Sequence, residues 1–137
     1  MKVSSLLSSI LRSLLAIFVG ILVFVLIVMP YGIILESVFP GSLGEDNLPA
    51  TFPSQLLLIV INFIGGSIGT LVVSLMAPSQ INLHAVIFGI LLLVLNLSAL
   101  FGTALTWPLW MSVVMLTVLP LEVWSGAWLA NYIRINE

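Results

Sequence analysis

Apolar residues run in four long blocks along this chain, and polar residues gather between them. The blocks cover approximately residues 14–35, 56–77, 85–105 and 108–130. Each is close to the ~20 residues a helix needs to cross the hydrocarbon of a bilayer. Backbone groups inside lipid must be satisfied within their own segment, so blocks of this length predict helices. Membrane strands would be about half as long and would alternate in polarity. The pattern therefore predicts an all-α polytopic membrane protein. Residues 1–137 form one membrane domain, a compact antiparallel bundle of four transmembrane helices.

The polar stretches supply the connections. "MKVSSLLSSILRS" opens the chain as an amphipathic lead-in. The apolar run behind it continues past Met29 without a small-residue cleavage site, so it predicts a retained first helix rather than a signal peptide. Residues 36–55, "ESVFPGSLGEDNLPATFPSQ", form a loop held in turns by Pro40-Gly41 and Pro49. "PSQINL" is a short turn between the second and third spans, and "TW" is shorter still. Pro108 suits the first turn of the fourth span, where its missing N–H costs nothing.

Orientation follows from the basic residues. Lys2 and Arg12 precede the first span, Arg134 follows the fourth, and the connections between spans hold no Lys or Arg. Four spans put both termini on one side, and an excess of Lys and Arg marks the cytoplasm. The expected placement is a bacterial-type inner membrane with cytoplasmic N and C termini. Glu36, Glu45 and Asp46 then lie outside. Trp107 and Trp110 fall in the outer aromatic belt, and Trp128 and Tyr132 in the inner one.

Composition strengthens this picture. The chain is 61% hydrophobic and 6% charged, against roughly a quarter charged in soluble domains. It lacks the polar surface to wrap a water-soluble globule, so the lipid bilayer is its expected surroundings. No basic patch marks it for nucleic acid. It has no cysteine, which excludes disulfides and thiolate chemistry. No cofactor or metal motif appears. "GGSIG" lacks the GK[ST] ending of a phosphate loop and lies inside an apolar run.

Residues three and four apart share a helix face. The first span places Ser9, Ser13, Ala16 and Gly20 on one stripe. The second places Asn62, Gly65 or Gly66, Gly69 and Val73 together, and the third Ala85, Gly89, Leu92, Asn96, Ala99 and Thr103. Small residues let membrane helices approach closely. Gly65, Gly66, Gly69, Gly89 and, on the fourth span, Gly126 are therefore expected to pack against other helices. Asn62 and Asn96 fall at similar depth on bundle-facing stripes and suit an interhelical amide pair. His84, near the inner interface, suits a solvated or helix-capping role.

Glu122 stands in "LTVLPLEVWSGAW", well inside the fourth span. An ionisable residue at such depth is expensive and is by default a candidate functional position. At 100° per residue it shares a face with Met111, Met115 and Gly126, opposed to Trp110, Thr117, Leu121, Trp124 and Trp128. It is thus expected to point into the bundle. The tight connection to the third span sets it level with Gly89 or Ile90, within reach of His84. One reading is a neutral packing residue bonded to a backbone carbonyl near Pro120. Others are a proton or ion site and a contact between subunits.

No catalytic constellation appears: there is one histidine, no HExxH and no nucleophile elbow. An enzyme is not expected. Small multidrug transporters also have four helices and one membrane glutamate, but theirs lies in the first helix. "HAVIFGILLLVLN", "WPLW" and "PLEVWSGAWLA" resemble a loose group of small four-helix bacterial membrane proteins. The likeness covers about the last 80 residues and rests mainly on small-residue packing marks. It implies the same fold and carries over no activity. The sequence points to a structural or interaction protein: a subunit, assembly factor or membrane organiser, acting as a homo-oligomer or within a larger membrane complex. The alternative is an oligomeric proton-linked transporter or channel using Glu122.

Overall fold

The computed structural model describes residues 2–45, 48–102 and 108–136, with side chains from residue 5 onward. Its elements are α1 (Lys2–Val28), α2 (Tyr31–Val38), α3 (Phe52–Met76), α4 (Ile81–Gly102) and α5 (Leu109–Ile135). α1 and α2 together make the first span, so four helical segments are long and apolar enough to cross a membrane. The protein is an all-α four-helix bundle of multi-pass membrane type.

The helices outrun the apolar blocks because interfacial residues continue them. α1 is already helical through the lead-in. α3 starts at Phe52, where the Thr51 N–H donates to Ser54 Oγ at 3.1 Å and Pro53 occupies the first turn. α5 reaches Ile135. The first span, expected to be unbroken, is interrupted at Met29–Pro30. Pro30 has no N–H to give the Leu26 carbonyl, and the chain resumes as α2. That break swings α2 onto α3 and buries Leu35 completely.

The loop is folded rather than free. Leu43 bridges Pro49, the Ala50 N–H donates to Ser42 O at 2.8 Å, and Glu36 Oε1 accepts the Gly41 N–H at 2.9 Å. Asp46, Thr103 and Trp107 lie outside the described residues.

α3 is the hub. It packs on α1, α4 and α5, and its most extensive contact is with α5. Alternating chain direction makes α3 and α5 parallel, so the principal interface joins two spans that are not neighbours in sequence. Its two ladders each step by four residues: Gly66, Thr70 and Ser74 on α3, and Glu122, Gly126 and Ala130 on α5. All six are buried. Gly65 and Gly66 serve different interfaces, because adjacent residues stand 100° apart on a helix. A Cβ on Gly65 would meet Val28 of α1 at 2.9 Å, whereas one on Gly66 would overlap the Glu122 carboxyl group. α1 crosses α3 where Gly20 meets Gly69, and Phe88 of α4 fills the space beside them. Phe24, Val73, Phe88, Leu92 and Leu119 form the main apolar core.

Burial follows the stripes on α1, α3 and α5. On α4 it holds from Ala85 to Leu92 and fades at Ala99, which is exposed.

Candidate functional site

The polar side chains inside the spans form three separate groups rather than one constellation. The first is Glu122, 1% exposed, on the α3–α5 interface. Its carboxyl group lies against Gly66, and only the missing side chain there makes room for it. The sequence places it level with Gly89, and the register agrees, since a Cβ on Gly89 would stand 2.7 Å from Val123 Cγ2. Glu122, one position earlier, is turned about 100° from that contact and faces α3 instead of α4. Oε2 is buried and has no hydrogen-bond partner among the described residues. The expected bond to a carbonyl near Pro120 is therefore not made by this oxygen. Around it lie hydroxyls with partners of their own. Thr70 Oγ1 donates to Gly66 O at 2.8 Å, Ser67 and Ser125 share a hydrogen bond of 2.8 Å, and Ser125 Oγ donates to Glu122 O at 3.0 Å.

The second group contains His84, which does not meet Glu122. It is buried at 7% exposure, so the solvated role does not hold. Its Nε2 lies 2.9 Å from Ser13 Oγ and its Nδ1 3.2 Å from Gln80 O. A carbonyl only accepts, so the proton on the ring belongs on Nδ1 when the imidazole is neutral. Ser13 Oγ also donates to the Ser9 carbonyl at 3.0 Å, so its one proton is shared between that carbonyl and Nε2, and the Ser13–His84 contact ties α1 to α4. Near it, Asn131 Nδ2 donates to Asn82 Oδ1 at 3.2 Å and ties α5 to α4.

The third group is the amide pair. Asn62 Nδ2 donates to Asn96 Oδ1 at 3.3 Å, joining α3 to α4 as their stripes imply, and Asn96 Nδ2 donates to Leu92 O at 2.9 Å. Both amides line a cavity of about 190 Å³.

Arg134 has a role that charge counting alone does not reveal. Its guanidinium donates to the carbonyls of Ser74, Leu75 and Ala77 at 3.0, 2.7 and 2.8 Å. These are acceptors left over at the C-terminal end of α3, where the helix dipole also favours a cation. The signal was present: a basic residue in the last turn of one span, at the membrane level where another span ends.

Two features face the lipid. Trp124, Trp128 and Tyr132 stack in sequence, with ring centroids 6.4 and 6.0 Å apart. Beside them, α4 and α5 splay around a groove of about 600 Å³. Ala85, Gly89 and Ala127 line it, with Pro120, Val123 and Trp124 among its walls. Among the described residues, no three His, Asp or Glu side chains gather in a group that could hold a metal ion. Comparison with known protein families, curated proteins and solved structures gives no match to this chain.

Proposed function

We propose that the protein is a non-catalytic interaction subunit of a bacterial-type inner membrane, with both termini in the cytoplasm and a partner helix seated between α4 and α5. The observation that carries this reading is the α4–α5 groove, apolar and lined by Ala85, Gly89 and Ala127. Lipid and helix surfaces are equally apolar, so helices associate in membranes through close approach at small residues. The Ser13–His84, Asn62–Asn96 and Ser67–Ser125 contacts already join helices of the same bundle to one another. Affinity purification in mild detergent should yield one stoichiometric membrane partner, or a second copy of this chain. Ala127→Phe should lose it, while Leu22→Phe on the exposed face of α1 should keep it. A lone monomer with the native groove would overturn the reading.

The orientation can be tested because the chain has no cysteine of its own. Ser42 is a poor reporter, being 3% exposed, whereas Glu45 is exposed. Glu45→Cys should react with an impermeant thiol reagent in intact cells. Reaction only after the inner face is opened would reverse the topology.

A second reading, a proton-linked transporter or channel working as an oligomer, is favoured by one observation: the buried, unpartnered Oε2 of Glu122. Its variants are treated in the Discussion.

A further inference from the structure

The cavity beside the amide pair is separate from the α4–α5 groove and from Glu122. It lies between the first span and α4, with α3 and α5 behind it. Its residues include Phe24, Val28, Tyr31, Leu58 and Met115, with Asn62 and Asn96 as polar groups. The sequence sets up this opening. On the side of the chain termini, α1 is pinned to α4 by the Ser13–His84 bond and by Phe88 against Gly20. Toward the loop, Leu95 and Ala99 of α4 are exposed.

The break at Met29–Pro30 lies at the same place, since Val28 and Tyr31 on either side of it both line the cavity. Irregular backbone at membrane depth is tolerated only where protein buries it or where it borders a cavity. A helix break, a cavity and an amide pair, buried at Asn62 and half-buried at Asn96, thus coincide.

The amides have bonding capacity left. A side-chain amide carries two N–H donors and an oxygen with two lone pairs. Asn62 spends one N–H on Asn96, and Asn96 spends one on Leu92 O. One N–H of each and the Asn62 oxygen have no protein partner among the described residues.

We propose that this cavity binds a small neutral amphiphile from the bilayer: one ring or short chain carrying a hydroxyl, carbonyl or amide that meets Asn62 and Asn96. Neutrality follows from the walls, since no charged side chain stands among the described lining residues. Size follows from the volume of about 190 Å³, a little above the ~150 Å³ of an engineered cavity that holds benzene. Depth excludes the bilayer's own phospholipid as the group recognised. Asn62 is ten residues into α3, about 15 Å along it at 1.5 Å per residue. Phospholipid esters stay near the interface, and only hydrocarbon tails reach this level. A molecule that uses the amides must bring its polar group down with it.

The test uses the full chain in phosphatidylcholine nanodiscs and trifluoromethyl-diazirinyl benzyl alcohol as probe. The matching diazirinyl toluene, which lacks the hydroxyl, is the comparison. After photolysis, adducts of the alcohol should concentrate on Phe24, Val28, Leu58 and Met115 over lipid-facing Leu14 and Leu22. Excess benzyl alcohol should protect them. Ala99→Phe fills the mouth from an exposed position and should abolish the concentration for both probes without disturbing the fold. Asn62→Leu should lower labelling by the alcohol up to about tenfold, the worth of one hydrogen bond, and leave the toluene probe unchanged. Adducts spread according to exposure and indifferent to Ala99→Phe would overturn the site. Equal response of both probes to Asn62→Leu would overturn the role of the amides.

Discussion

Replacing Gly126 by alanine should cost the bundle about 3 kcal/mol, the top of the usual range for overpacking. One added methyl has this effect because of what it meets. The new Cβ would overlap the Ser67 carbonyl and lie 2.7 Å from Thr70 Cβ and 2.9 Å from the Leu71 nitrogen. These obstacles are mostly the backbone of α3, which cannot rotate aside. α5 would have to retreat, stretching the Ser67–Ser125 bond and drawing Arg134 off the end of α3. Gly89→Ala differs in kind, because its obstacle is the Val123 side chain. Val123→Ala should therefore rescue Gly89→Ala, and no single side-chain truncation should rescue Gly126→Ala. Gly32→Ala is the control, as nothing lies within 4 Å of its added Cβ. Unfolding of the four variants in detergent would check this. Equal stability of Gly126→Ala and Gly32→Ala would mean that α3 and α5 do not meet here.

The parts legible in the sequence share a cause. Spans, stripes and the Asn62–Asn96 pair depend on local periodicity and on depth, both of which can be counted along one chain. The pairing of α3 with α5 depends on neither. Short connections announce which consecutive spans are antiparallel neighbours, so the sequence alone directs Glu122 toward α4. Which non-consecutive spans meet is decided by complementary surfaces. The matching four-residue steps of Gly66-Thr70-Ser74 and Glu122-Gly126-Ala130 were visible, but a small-residue ladder does not name its partner. The break at Pro30 was missed for a similar reason. "VMPYG" offers a proline, yet proline is tolerated in membrane helices wherever neighbours satisfy the freed carbonyl. Whether it bends or breaks the helix depends on α3, which accepts Leu35.

The other large effect is expected at Glu122. Lysine there would place a longer side chain and a cation where the native residue is 1% exposed and already pressed against Gly66. Leaving one charge buried and unpaired typically costs 3–5 kcal/mol, so Glu122→Lys should fail to assemble or unfold in mild detergent. Glutamine keeps the volume, and its amide can donate as well as accept, so Glu122→Gln should stay within about 1 kcal/mol of the native bundle. The geometry also makes Gly66 and Glu122 a coupled pair. Gly66→Ala overlaps the carboxyl group, while Glu122→Ala removes the group and leaves a void. Together the two changes should cost less than their sum, since the added methyl occupies space the glutamate vacated. Additive costs would show that the carboxyl group does not sit against Gly66. The Gln variant then separates the two functional readings. For an interaction subunit, its partner should co-purify as with the native chain. For a proton-linked transporter, the same folded protein in liposomes should lose proton-driven flux, because glutamine has no proton to release at a buried group whose Oε2 has no partner among the described residues.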